Sequence, residues 1–153
     1  MNTFFLKDVR SDAALRLSAL AITPGAEDHF VFNAAFEAMG ATVYCAVDDY
    51  YLERWGNFFS DVASCWRGWS GNKTCSSTND AFRLSMTTDA LGHVEVSVTI
   101  GSPYVTPVWT FTGKLAIDAG QLEAVARSAV HFFAKPVQPS TLSGEAISGG
   151  PAA

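Results

Sequence analysis

Charge is scarce in this chain. Asp, Glu, Lys and Arg make up 16% of its 153 residues, and fifteen acids against ten bases leave a net charge of −5. Nonspecific binding to phosphate backbones needs a cationic surface, so nucleic acid is not an expected partner. Long apolar runs are missing too. The charge-free stretch from Leu17 to Ala26 is too short and too interrupted to cross a bilayer. The start, Met1 to Asp8, lacks the basic segment and apolar run of a secretory leader. No membrane partner is expected. Paired cysteines are absent as well: Cys45, Cys65 and Cys75 form no CxxC motif and leave an odd thiol under any pairing. That pattern suits a reducing compartment, and the expected location is the cytoplasm. The sequon Asn72-Lys73-Thr74 would then go unused.

Apolar residues are plentiful, at 48%. A chain of this length buries about two-thirds of its surface on folding, enough for one domain, expected over residues 1–135. Residues 1 to 48 read as strands. Phe30, Phe32, Ala34 and Phe36 share one face of a strand, Met39-Gly40 marks a hairpin corner, and Val43, Cys45 and Val47 share a face of the next. Leu15 and Leu17 stand in one phase, Leu20 and Ile22 in the other, which predicts a bulge near Ser18-Ala19.

The period changes after Asp48-Asp49. Leu52, Trp55, Phe59, Val62 and Trp66 fall three and four apart, which predicts a helix over 50–67 with one buried stripe. The two aspartates would cap its first turn and Gly68 would end it. A polar loop is expected over 70–80. Two alternating runs follow, Phe82 to Thr87 and His93 to Ile100, joined by a hairpin at Asp89-Ala90-Leu91-Gly92. A strand around Trp109 to Ile117 leads to an Asp118/Gln121 capping pair. A second helix then lines up Leu122, Val125, Ala129 and Phe133 and closes at Lys135-Pro136. Residues 136–153, rich in Pro, Gly and Ser, read as a flexible tail. The order strands–helix–strands–helix predicts an α+β fold, with a mainly antiparallel sheet and both helices packed against it.

Motifs for chemistry are few. Gly68-Trp69-Ser70-Gly71-Asn72 resembles a nucleophile elbow, but Asn72 stands where the second glycine is required and a helix precedes the serine. There is no phosphate loop, dinucleotide fingerprint or EF-hand. Asp89, His93 and Glu95 form the best acid–base cluster, although two ligands on one strand do not specify a metal. The competing account of them is a solvated sheet face. Cys45 and Cys65 read as small core residues, and Cys75 as a thiol in a polar loop. No catalytic residue, metal or cofactor is expected. The candidate binding residues are Asp48, Asp49, Glu53, Trp69, His93 and Glu95.

The run Gly56-Asn57-Phe58-Phe59 to Trp66-Arg67-Gly68-Trp69-Ser70-Gly71, then Gly92-His93-Val94, Trp109 and Gly120-Gln121-Leu122, resembles a bacterial family of uncharacterised domains. That family carries W-R-G-W-x-G and G-H-V motifs, and the resemblance spans about residues 40–134. Cys75 departs from it, standing where a tryptophan is expected. The family is similar in turn to WapI-type immunity proteins. The resemblance implies a structural role for Trp66, Arg67, Gly68, Trp69, Gly71, Gly92 and Trp109. Small size, acidity, the lack of catalytic motifs and this distant link together point to a small binding protein of the immunity or antitoxin kind, whose acidic surface would meet a basic protein such as a toxin domain. The alternative is a small-ligand protein or enzyme using His93, Glu95 and Asp89.

Overall fold

The computed structural model describes residues 2–134; the expected tail over 136–153 and the Lys135-Pro136 helix stop lie outside them. Strands β1 (Thr3–Lys7), β2 (Ala14–Thr23), β3 (Ala26–Ala38) and β4 (Ala41–Tyr50) form one antiparallel sheet in chain order. Helix α1 (Glu53–Ser64) follows. A second four-stranded sheet, again in chain order, holds β5 (Lys73–Ser76), β6 (Phe82–Thr88), β7 (His93–Ser102) and β8 (Trp109–Asp118). One short 3-10 turn then leads into α2 (Leu122–Phe132). The fold is α+β, as expected, with two sheets rather than one.

Alternation in sequence becomes a shared core. Phe30, Phe32, Ala34 and Phe36 of β3 are buried, as are Phe82, Leu84 and Met86 of β6 and Val94, Val96, Val98 and Ile100 of β7. Phe32 joins all the layers. Its ring meets Trp55 of α1, Phe82 of β6 and both Phe132 and Phe133 at the end of α2, edge to face in each case. Such pairs contribute about 0.5–1.5 kcal/mol each beyond their burial. The two helices lie against one another.

Irregularities fall where the pattern breaks. The β2–β3 register shifts between Ser18 and Ala21, and Ala19 takes a positive φ of 58°, so a bulge moves Leu15 and Leu17 in one phase and Ile22 in the other onto the core face. Met39 and Gly40 both have positive φ, the geometry of a tight hairpin turn. Asp118 N–H donates to Gln121 Oε1 at 2.9 Å, one half of the expected capping pair.

Three expectations need correction. The first helix is shorter than residues 50–67, because β4 stays paired with β3 as far as Tyr50 and Tyr51 turns the chain at φ 61°. Trp66 lies beyond the helix, 55% exposed, with the Arg67 guanidinium 5.0 Å from its ring. It therefore leaves the buried stripe that Leu52, Trp55, Phe59 and Val62 do form. The polar loop contains a strand, and Cys75 is buried within it, paired opposite Leu84.

Candidate functional site

The β6–β7 hairpin carries a polar cluster on the surface, held by three hydrogen bonds to one carboxylate. Gly92, at φ 84°, lets the chain turn back, and Asp89 holds the turn. Asp89 Oδ1 accepts from the main-chain N–H of Leu91 at 2.8 Å and of His93 at 2.9 Å. Asp89 Oδ2 lies 2.8 Å from His93 Nδ1. The two main-chain donors are free to give only to an acceptor, so an ionised Asp89 sets Nδ1 as the protonated ring nitrogen. Hydrogen bonds from the His93 main chain and side chain hold the Asp89 carboxyl below its ordinary value.

His93 and Glu95 point away from Val94 and Val96 and are exposed, as alternation requires. Glu95 faces Lys114 of β8 at 3.3 Å. His93, Glu95 and Asp89 line a cleft of about 480 Å³ whose walls include Arg10, Thr88 and Asp118. Asp8 lies next in sequence to Val9 and Arg10 of the lining. The Asp8 carboxyl accepts from the main chain of Ala116 and from the Ser11 hydroxyl. Burial raises its pKa, but those hydrogen bonds and the nearby Arg10 charge outweigh that and lower it overall. The side chains of the cleft are thus a mixed set of acids and bases, with Asp89, His93 and Glu95 on the pinned hairpin. Among the described residues, no group of three or more His, Cys, Asp and Glu side chains is placed to hold a metal ion.

The other candidate residues do not gather there. Trp69 is the nearest in connectivity: its main-chain N–H donates to Thr88 Oγ1 at 3.1 Å and its indole N–H to the Met86 carbonyl at 3.2 Å, folding the ring back along β6. Asp48 is exposed on β4, 3.5 Å from His29 Nε2. Glu53 lies at a separate cavity beside the start of α1.

Asp49 corrects the capping expectation outright. Leu52 stands at the N-cap of α1 and no side chain caps it. Asp49 is instead fully buried, where it accepts from Arg54 Nη2 with both oxygens at 2.8 Å, from the Trp55 indole N–H at 2.7 Å, and from the Tyr50 N–H. The Thr78 N–H and hydroxyl complete the set. A buried carboxylate with this many donors is a structural joint between β4, α1 and the β5–β6 loop. The signal was in the parity of β4: Val43, Cys45, Val47 and Asp49 share one face. Arg54 also donates to the Ser76 carbonyl at 3.0 Å. The thiols of Cys45 and Cys75 are pushed up to about 11 by burial, which keeps them protonated and unreactive near neutrality.

A family model described as a family of unknown function, DUF6228, matches residues 6–136. The chain belongs to the DUF6228 family. No curated protein matches it. Solved structures of similar shape include WHY1 from Arabidopsis thaliana, with 7% identity, TM-score 0.47, and coverage of 99% of this chain and 93% of that one. The plant transcriptional regulator PBF-2 follows at 6% identity and TM-score 0.45, covering 98% and 85%. WHY3 from Arabidopsis thaliana gives 7%, 0.42, and 99% and 96%. Likeness at that level leaves the function of this DUF6228 member to its own residues. One expectation is corrected here all the same: the exclusion of nucleic acid rested on net charge alone. Net charge is a sum over the whole chain and does not describe any one face, so the exclusion does not stand. Among the described residues, no helix is long and apolar enough to cross a membrane.

Proposed function

We propose that this chain is a binding protein that acts by occupying a partner, of the immunity or antitoxin kind in which a toxin domain is blocked without chemistry. The observation that carries this reading is the clamp at the β6–β7 hairpin. One carboxylate fixes two main-chain N–H groups and an imidazole, so the exposed charged side chains around it are ordered before any partner arrives. Preorganised groups lose little entropy on binding. The Trp66–Arg67 stack offers a second exposed pair of the residue types that dominate binding energy at interfaces.

The test is co-expression with a toxin domain encoded beside this chain. Protection and a co-purifying complex are expected, together with weaker binding by Asp89→Ala. Loss of neither growth nor complex in that variant would remove the hairpin from the interface, and no protection at all would overturn the proposal. A second reading has its own observation: the His93–Asp89 pair lines a cleft of about 480 Å³, within the range that takes a small molecule. Native mass spectrometry separates the two, since a bound metabolite lost on His93→Gln favours the small ligand. In either case His93→Gln is expected to keep the fold and cost at most about 1 kcal/mol, the scale of one cross-strand pair.

A further inference from the structure

A second cavity, of about 350 Å³, opens between the β2–β3 hairpin, the start of α1 and the end of α2. Its floor is apolar: Ile22, Phe30, Leu52 and Phe133 are all buried. Its mouth carries three exposed acids, Glu27 and Asp28 from the hairpin and Glu53 from α1, and among the described residues none that lines it is basic. Tyr51 stands beside them in the left-handed region, at φ 61°. That is a strained place for an aromatic residue and the kind of strain that collects at binding sites.

We propose that this cavity binds an organic ammonium with an apolar body, of which a straight-chain alkylammonium is the simplest. The site is independent of the hairpin cleft and of the function proposed for it. The apolar floor selects an apolar body. The three acids repel an anion and leave a neutral head group without an ion pair, so a cation is the complement. Tyr51, exposed and in the lining, adds an aromatic ring to the same site. The start of α1 and the end of α2 both border the cavity, so their opposite poles offset one another there and the three carboxylates set the sign.

Isothermal titration calorimetry on the full chain at low ionic strength tests this, with n-hexylammonium, 1-hexanol and hexanoate as probes of one length and three charges. Hexylammonium is expected to bind at least about tenfold tighter than hexanol, with hexanoate weakest. The variant Glu27→Gln/Asp28→Asn/Glu53→Gln, checked by its melting curve, should bring hexylammonium down to the level of the alcohol. Val130→Phe, at an exposed position bordering the cavity, should weaken both probes by filling the space. The proposal is overturned if hexanol binds the wild-type chain as tightly as hexylammonium, or if no probe binds. It is also overturned if the folded triple variant keeps the preference for the cation.

Discussion

Replacing Asp49 by Ala removes one carboxylate and strands its donors. The Trp55 indole N–H suffers most, because that side chain is wholly buried and Asp49 Oδ2 is the partner it has. An unmet buried donor costs about 1–3 kcal/mol. Breaking a buried ion pair costs about 3–5 kcal/mol, chiefly through the charge left behind. Here that figure belongs at its lower end, since the Arg54 side chain is 41% exposed and water can take over part of its solvation. The Thr78 N–H, in an exposed loop residue, adds less. These losses overlap, and about 3–5 kcal/mol is the expected total. For a chain of this size one kcal/mol moves the melting temperature by about 2–4 °C, so Asp49→Ala should lower it by about 6–20 °C. Circular dichroism melts and urea midpoints measure it, with Asp48→Ala as the exposed neighbour that should stay within about 0.5 kcal/mol. A change in Asp49→Ala no larger than in Asp48→Ala would refute the reading of Asp49 as a joint.

Gly101 lies where an added Cβ would come within 2.5 Å of the Trp109 carbonyl oxygen and 3.1 Å of the Thr110 Cα. Both are backbone atoms of the paired strand, so Gly101→Ala should destabilise the β7–β8 pair by about 1–3 kcal/mol, read from the urea midpoint. The clamp at Asp89 has a depressed pKa in the fold. Its contribution is present above the ordinary carboxylate value and lost as pH falls through the lower folded one. Amide protection at Leu91 and His93, taken relative to the intrinsic rate at each pH, should therefore hold at pH 5 and fall only in stronger acid; protection already lost at pH 5 would refute the clamp. Thiol labelling at neutral pH should leave Cys45 and Cys75 unmodified until the chain unfolds, and rapid labelling of Cys75 in the folded protein would contradict its burial on β5.

The strands were legible because their alternation is strict. Phe30 to Phe36, Phe82 to Met86 and Val94 to Ile100 each place one face inward, and the phase break near Ser18-Ala19 falls at the register shift between Ser18 and Ala21. What misled the reading is a conflict of periods. Leu52 to Trp66 fits a helical stripe, yet pairing of Tyr50 with His29 keeps the chain in β4 and the helix ends before Trp66 can reach the core. Asp48 and Asp49 look like caps in any local window: Tyr50, Arg54 and Trp55 lie close by in sequence, but Thr78, which completes the buried shell of Asp49, is 29 residues away. The second strand of difficulty was the 70–80 segment, where polar residues hide the pairing of Cys75 with Leu84. The hairpin cluster was visible in sequence as residue types, while its three-bond clamp depends on a turn geometry that spacing alone does not determine.

Both sheets run in chain order, so every ladder hydrogen bond joins neighbours along the sequence. Each half can therefore set its own register before it meets the other, and such local pairing favours rapid formation. Nothing in either ladder tells the halves how to sit together, and apolar faces tolerate small slips. Asp49 supplies that information in the buried interior, as the Val9 N–H to Ala116 carbonyl bond at 2.9 Å does at the sheet edge. Its donors Tyr50, Arg54 and Trp55 come from the first half and Thr78 from the second, so a misaligned encounter leaves a carboxylate in oil with part of its shell missing. The buried acid acts as an alignment key, penalising near-miss assemblies more than it rewards the right one.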